Sequence, residues 1–335
     1  MRATTFARKL LLVVPTLFGV ALVVFVLLRL VPGDPAAMLM SSESSAADLA
    51  RVRHELGLDQ PLYIQFVHYL GDALTGHFGR SITMRQDVIA LVLGRLPATL
   101  ELAATALVIS IPLGVLLALV SVYFRETWVE AAGDAFSSFC LAVPEFLWAI
   151  LLILGFAVIL PWLPISGRLD PVEQLAFTTQ FYLAESILTG RFHVALQLLS
   201  YVLLPAVALA LPFAAAIARV LKVSLIDALV QDYVMLARVK GYSEARVLLR
   251  HALPNALLPT ITVTGVHFVL LVGGTVTVEL IFAFPGIGNL LYTAAINRDF
   301  PLIQGVTIVF AGLFALINVG FDLLYALFNP RAAEV

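Results

Sequence analysis

Charge is scarce in this chain of 335 residues: 13% are Asp, Glu, Lys or Arg, against about 25% in an average soluble domain. Hydrophobic residues reach 61%, where ~45–50% is usual, and mean hydropathy is +1.00. A soluble fold could not hide that much apolar surface. Lysine is nearly absent. Lys9, Lys222 and Lys240 are the three, and none follows a glycine, so there is no G-x-x-x-x-G-K-[ST] phosphate loop and the chain is not its own P-loop ATPase. The lone Cys140 excludes an intrachain disulfide framework and reads as a small apolar side chain inside a helix. Six scattered histidines lack metal-ligand spacing, His54-Glu55 has no second histidine after it, and no G-x-S-x-G elbow occurs, which excludes the common zinc and serine hydrolase motifs. A net charge of −2 leaves no basic footprint for nucleic acid.

What the chain has instead is long uncharged runs. Six reach the ~20 residues needed to cross a bilayer as helix: Leu10–Leu28, Leu102–Phe124, Phe146–Gly167, Phe192–Ala218, His251–Val278 and Phe300–Phe321. Each must be helical, because lipid offers backbone groups no partner. The first run is too long for a signal-peptide core and lacks a small-x-small site after it, so it reads as a retained span. A further uncharged stretch, Leu280–Asn297, is broken by Pro285, Gly286, Gly288 and Asn289 and reads as a helix end followed by a loop. With the N-terminus inside, the cytoplasmic segments 1–9, 123–135, 219–255 and 329–335 hold 11 of the 20 basic residues in 66 positions, against 8 in the 119 external positions. That bias puts both termini in the cytoplasm. The chain divides into 1–31, with the first span; an external helical segment, 32–96; a five-helix core, 97–328, including a cytoplasmic loop, 219–255; and a tail, 329–335.

The external segment reads as three helices: one capped by Ser44 or Ser45 and running to Leu56, one opened by Asp59-Gln60-Pro61, and one carrying Val88, Ile89, Val92 and Leu96 into the second span through Pro97. In the second helix, Tyr63, Phe66, Val67, Leu70 and Leu74 recur at helical spacing, a packing stripe. Ionisable residues in or near spans are Glu101, Glu145, Glu279, Asp322 and His267. They fit three roles: headgroup or bundle bonding, a proton relay, or a place on a substrate path. His267, Thr275 and Glu279 on the fifth span are the pathway candidates. Gly273-Gly274 there suits a packing seam or a gate.

The loop 219–255 carries six basic residues. Ala228–Val239 reads as a short helix ended by Gly241, and Ser243-Glu244 opens another running to Leu253 before Pro254. Such an element, with no core of its own, needs a partner surface; contact with anionic lipid alone is the other reading.

Met235-Leu236-Ala237, Gly241 four residues on, and Leu253-Pro254 resemble the E-A-A-x-x-x-G-x9-I-x-L-P loop of permease subunits of ATP-binding-cassette importers. The spacing matches throughout; Met235, Leu236 and His251 depart in identity, as is usual in the dipeptide/oligopeptide branch. Further landmarks of that branch are similar to Arg29-Leu30-Val31-Pro32-Gly33-Asp34-Pro35, His77-Phe78-Gly79-Arg80-Ser81, Arg95-Leu96-Pro97-Ala98-Thr99-Leu100-Glu101-Leu102, Pro164-Ile165-Ser166-Gly167-Arg168, Phe284-Pro285-Gly286-Ile287-Gly288, Arg298-Asp299-Phe300-Pro301 and Asp322-Leu323-Leu324-Tyr325. The resemblance covers nearly the whole chain.

It implies an all-α integral membrane protein of six transmembrane helices with the type I importer permease fold, multi-pass in a bacterial inner membrane. It implies no catalytic residue, cofactor or metal on this chain. Expected partners are a second homologous permease subunit, two ATPase subunits holding ATP and Mg, an external substrate-binding protein, and the lipid bilayer. Met235, Leu236, Ala237, Arg238, Lys240, Gly241, Leu253 and Pro254 become the loop that couples to an ATPase. Dipeptides, longer peptides, glutathione and nickel chelates are all cargoes of similar permeases. A proton-coupled secondary transporter using Glu145, Glu279 or Asp322 is the competing reading, although inverted repeats and broken midplane helices are not evident; a membrane scaffold without cargo is a third.

Overall fold

A computed structural model describes residues 3–30, 51, 53, 54, 59–169 and 176–328. The expected helix from Ser44 or Ser45 to Leu56, the landmark after Leu30 and the tail 329–335 lie largely or wholly outside these. In chain order the helices are α1 (Ala3–Leu30), α2 (Leu62–Thr75), α3 (Val88–Tyr123), α4 (Trp128–Ala142), α5 (Glu145–Leu152), α6 (Tyr182–Leu188), α7 (Phe192–Leu229), α8 (Asp232–Val239), α9 (Leu253–Ile281), α10 (Ile287–Ile296) and α11 (Phe300–Phe328). Among the described residues, α1, α3, α7 and α11 are long and apolar enough to cross a membrane. The 29 residues of α9 cover the predicted fifth run.

The third run departs from expectation. Phe146–Gly167 reads as one span, but α5 begins at Glu145, continues as π-helical turns over Ile153–Ile159, and meets α4 at a bend of 104°. Proline explains both limits. Pro144 disfavours helical geometry at Val143, so α4 stops, while Pro161 and Pro164 prevent the helix from continuing to Gly167.

Two compact units emerge. In the first, Pro97–Gly288 with Ile317 onward, α7 is the central helix. Its buried side carries Ala206, Ala208, Ala210, Ala214, Ala215 and Ala218, small residues that let helices approach closely. Gly114 of α3 packs there: a Cβ on it would stand 2.6 Å from the Ala214 carbonyl oxygen. Lys222 lets α7 continue beyond the apolar run, because its Nζ pairs with Glu130 and Asp134 of α4, both at 2.7 Å. Ala228 and Leu229, expected to open the short helix before Gly241, instead finish the 38-residue α7, and that short helix begins at Asp232 as α8.

In the second unit, Arg2–Leu96 with Asn289–Leu316, α2 starts after Pro61 as expected and ends at Gly76, whose φ of +75° is left-handed. Two of the five stripe residues, Phe66 and Leu70, pack: Phe66 meets Phe18 and Phe25 of α1 edge-on, and Tyr69, outside the expected stripe, stacks on Phe25. Tyr63, Val67 and Leu74 point away and are exposed. Two landmarks 218 residues apart also join here. Asp299, fully buried, accepts from Ser81 Oγ at 2.6 Å, from the Thr83 backbone N–H at 3.0 Å and from the Leu302 N–H at 3.2 Å, so it caps α11 and anchors the hairpin before α3.

Candidate functional site

The element expected on the cytoplasmic side is a knob formed by α8, the turn at Gly241, the helical turn Glu244–Arg246 and the π-helical turns Val247–Ala252 that lead into α9. Contrary to the sequence reading, it has a small core. Val234 and Ala237 of α8 are buried against Val247, with Leu229 beside them. Gly241 holds φ at +79°, a region where a Cβ is disfavoured. The turn is clamped across its mouth: Arg238 donates from Nε to Glu244 Oε1 at 2.9 Å and from Nη2 to Oε2 at 3.1 Å, with Nη1 donating to the Leu229 carbonyl oxygen. Behind it His251 stacks on Tyr242 at 5.4 Å, and Leu248 and Ala252 enter a cluster with Ala118, Leu221, Leu225 and Ala256. The knob is thereby fixed to α3, α7 and α9.

The predicted coupling residues separate by role in this geometry. Ala237 faces inward, Arg238 and Gly241 shape the turn, Leu253 is half-buried and Pro254 is exposed in the first turn of α9. Met235, Leu236 and Lys240 face outward. With Val239, 79% exposed, Met235 and Leu236 at 58% and 55% form an apolar face ringed by Tyr233 and Lys240. An apolar face at the tip of a charged loop marks a contact surface.

Of the three pathway candidates, one faces an opening. His267 lines a cleft of about 190 Å³ with Glu145 of α5, Leu209, Pro212 and Phe213 of α7, and Gly274 of α9; its ring meets Phe213 edge-on at 6.0 Å. Thr275 is fully buried and donates to the Val272 carbonyl oxygen within its own helix at 2.7 Å. Glu279 is also fully buried, but as a hub. Thr99 Oγ1 donates to its Oε1 at 2.6 Å and accepts from the Ile287 N–H at 2.8 Å. A Cβ on Gly286 would fall 2.2 Å from the same carboxylate oxygen.

Sequence reasoning assigned no role to Thr99 or Arg168, and left Glu101 open between headgroup or bundle bonding, a proton relay and a place on a substrate path. Glu101 Oε2 accepts from Arg168 Nη2 at 2.6 Å, with side chains 7% and 5% exposed. Its Oε1 accepts from the Leu183 and Ala184 N–H groups at 2.9 and 3.1 Å, the donors free at the start of a helix. Arg168 also donates to the Gln180 carbonyl oxygen at 2.7 Å and lies 4.1 Å over the Tyr182 ring. One acid on α3 thus latches the segment leading into α6. Nearby Glu185 accepts from the Thr178 and Thr179 backbone N–H groups and from Thr179 Oγ1, and these bonds hold its carboxyl down to about 2. The advance signal for Thr99 and Arg168 was that they fall inside the landmark strings, as Glu101 also does.

Known proteins bear on this architecture. Residues 110–334 match the family described as binding-protein-dependent transport system inner membrane component, and residues 4–103 match its N-terminal companion. The chain is 39% identical over 326 residues to the di/tripeptide transport system permease protein DppB of Pseudomonas aeruginosa, covering 97% of both chains. It is 34% identical to the dipeptide transport system permease protein DppB of Alkalihalophilus pseudofirmus, again with 97% of both covered, and 36% identical to the glutathione transport system permease protein GsiC of Escherichia coli, with 96% of both covered. Among solved structures, the methionine ABC transporter MetNI in an inward-facing conformation aligns with a TM-score of 0.52 at 17% identity, covering 71% of this chain and 96% of that one, a likeness of fold. With matches spanning both its N-terminal and core regions, the chain belongs to the family of binding-protein-dependent transport system inner membrane components, the permease subunits of ATP-binding-cassette importers.

Proposed function

We propose that this chain forms half of the translocation pathway of a bacterial inner-membrane importer for di- or oligopeptides. In this reading an external binding protein delivers the peptide, a second homologous permease completes the pathway, and two ATPase subunits supply the energy. ATP and Mg sit on those ATPases. The observation that carries the reading is the outward apolar face of Met235, Leu236 and Val239 on a knob whose other face is packed into the ends of α7 and α9. An ATPase groove closing on that face moves the knob, and the knob cannot move without α7 and α9. Alternating access requires such an element, biased from both of its sites. The peptide class rests on the names borne by relatives aligned over nearly the full chain.

Glu279 suits a proton relay poorly, since its carboxylate is engaged by Thr99 and enclosed by the Gly286 turn. The test is peptide uptake by the assembled complex in liposomes. Uptake should require ATP and survive collapse of the proton gradient, and Leu236→Glu should uncouple ATPase activity from uptake with assembly of the permease pair intact. Uptake that follows the proton gradient without ATP would overturn the proposal.

A further inference from the structure

The cleft beside His267 contains a carboxylate that the fold does not use. Glu145 stands in the first turn of α5, directly after the bend at Pro144. Among the described residues it makes no hydrogen bond or ion pair, in contrast to Glu101, Glu130 and Glu279. Favourable alignment with the α5 dipole accounts for tolerance of a charge there, but not for the space kept in front of it. That space depends on Gly274 across the cleft, where a Cβ would stand 2.8 Å from Glu145 Oε1. The remaining lining is mostly apolar, from Leu209, Phe213 and Leu271. His267 lies 14 residues into the 29-residue α9, about 21 Å along its axis and so near its middle, which on the reading of α9 as the fifth span puts the cleft at mid-membrane depth. An unpaired acid at that depth, in an apolar cleft, is matched by a small cation rather than by water or an anion.

We infer that Glu145, opposite Gly274, is a way-station for the ammonium group of a passing solute: its carboxylate receives the charged N-terminus of a peptide while the apolar walls take the side chains. The inference rests on the peptide-importer reading for its cargo, but the site itself can be tested without transport.

The probe is glycinamide, which carries the ammonium without a carboxylate, with N-acetylglycinamide as the uncharged control. In the assembled complex, Leu270→Cys places a thiol on the exposed lip of the cleft, with Cys140→Ala removing the native one. Glycinamide should slow modification of that thiol about fivefold or more, N-acetylglycinamide should not, and Glu145→Gln should abolish the protection. In uptake of dialanine, Glu145→Gln should lower the maximal rate about tenfold, the scale of a lost charge-assisted hydrogen bond. Stimulation of the ATPase by the liganded binding protein should persist, and Glu145→Asp should restore part of the rate. Equal protection by both probes, or by neither, overturns the inference. So does dissociation of the permease pair in Glu145→Gln, which assigns the carboxylate to the subunit interface. Selective protection in a wild-type complex that shows no ATP-driven peptide uptake keeps the site and rejects the peptide-importer reading instead.

Discussion

Replacing Glu101 with alanine should release the segment between Arg168 and α6 and destabilise the permease by several kcal/mol. Both members of the Glu101–Arg168 pair are more than nine-tenths buried, and removing one partner of such a pair costs about 3–5 kcal/mol, because the other charge stays in a poorly solvating environment. The Leu183 and Ala184 N–H groups lose their acceptor at the same time. Glu101→Gln should cost less, since an amide oxygen can still accept from α6 while the charge on Arg168 goes unanswered. The double variant Glu101→Ala, Arg168→Met should be less damaged than the two single effects added together, because no orphan charge remains; coupling between contacting residues is typically about 0.5–3 kcal/mol. The assay is denaturant unfolding of the purified complex in nanodiscs, with limited proteolysis across residues 176–191 to locate the damage. Strict additivity of the two variants, or a Glu101→Ala protein within about 1 kcal/mol of wild type with that segment still resistant, would refute the latch.

Three further outcomes follow from the geometry. Gly241→Ala, at φ +79°, should strain the knob by about 1–2 kcal/mol and reduce ATP-driven uptake with the spans still inserted, read by protease mapping and transport; undiminished uptake would show that the turn is not needed for coupling. Gly286→Ala drives a methyl group into the Glu279 carboxylate and should cost about 1–3 kcal/mol by overpacking, whereas Gly312→Ala, where nothing lies within 4 Å, should be neutral in the same thermal assay. Glu185 titrates lower in the folded protein, near 2 rather than 4.5, so its bonds to Thr178 and Thr179 contribute fully above the ordinary value and fade as pH falls from 4.5 toward 2. Hydrogen exchange across residues 176–188 should therefore quicken in that window, relative to Glu185→Gln; a pH-independent difference between the two proteins would sink this assignment.

The parts legible in the sequence were those governed by composition and short-range pattern. Charge-free runs located α1, α3, α7, α9 and α11; the start of α2 after Pro61 and the glycine turn between α8 and Glu244 followed from local backbone chemistry. Elements that depended on a partner far along the chain were not legible. Arg219 and Lys222 marked an end to the fourth run, yet α7 continues to Leu229 because Glu130 and Asp134 answer Lys222. The inward direction of Ala237 was equally hidden, since it depends on Val247 across the turn. Thr99 and Glu279 are 180 residues apart, and no periodicity brings them together. His267 and Glu279 looked alike as polar groups on one span, but only packing distinguishes a cleft wall from a buried hub.

The unbroken course of α7 sets how motion can travel. Its 38 residues make a rod about 57 Å long, with the knob attached at one end. Such a lever bends most easily where its ladder of backbone bonds is interrupted, and Pro205 and Pro212 each remove one rung. Pro212 stands in the wall of the cleft that holds Glu145. A pull at the knob end therefore finds its fulcrum beside Glu145, and a tilt too small to disturb either end would still widen or pinch the cleft there.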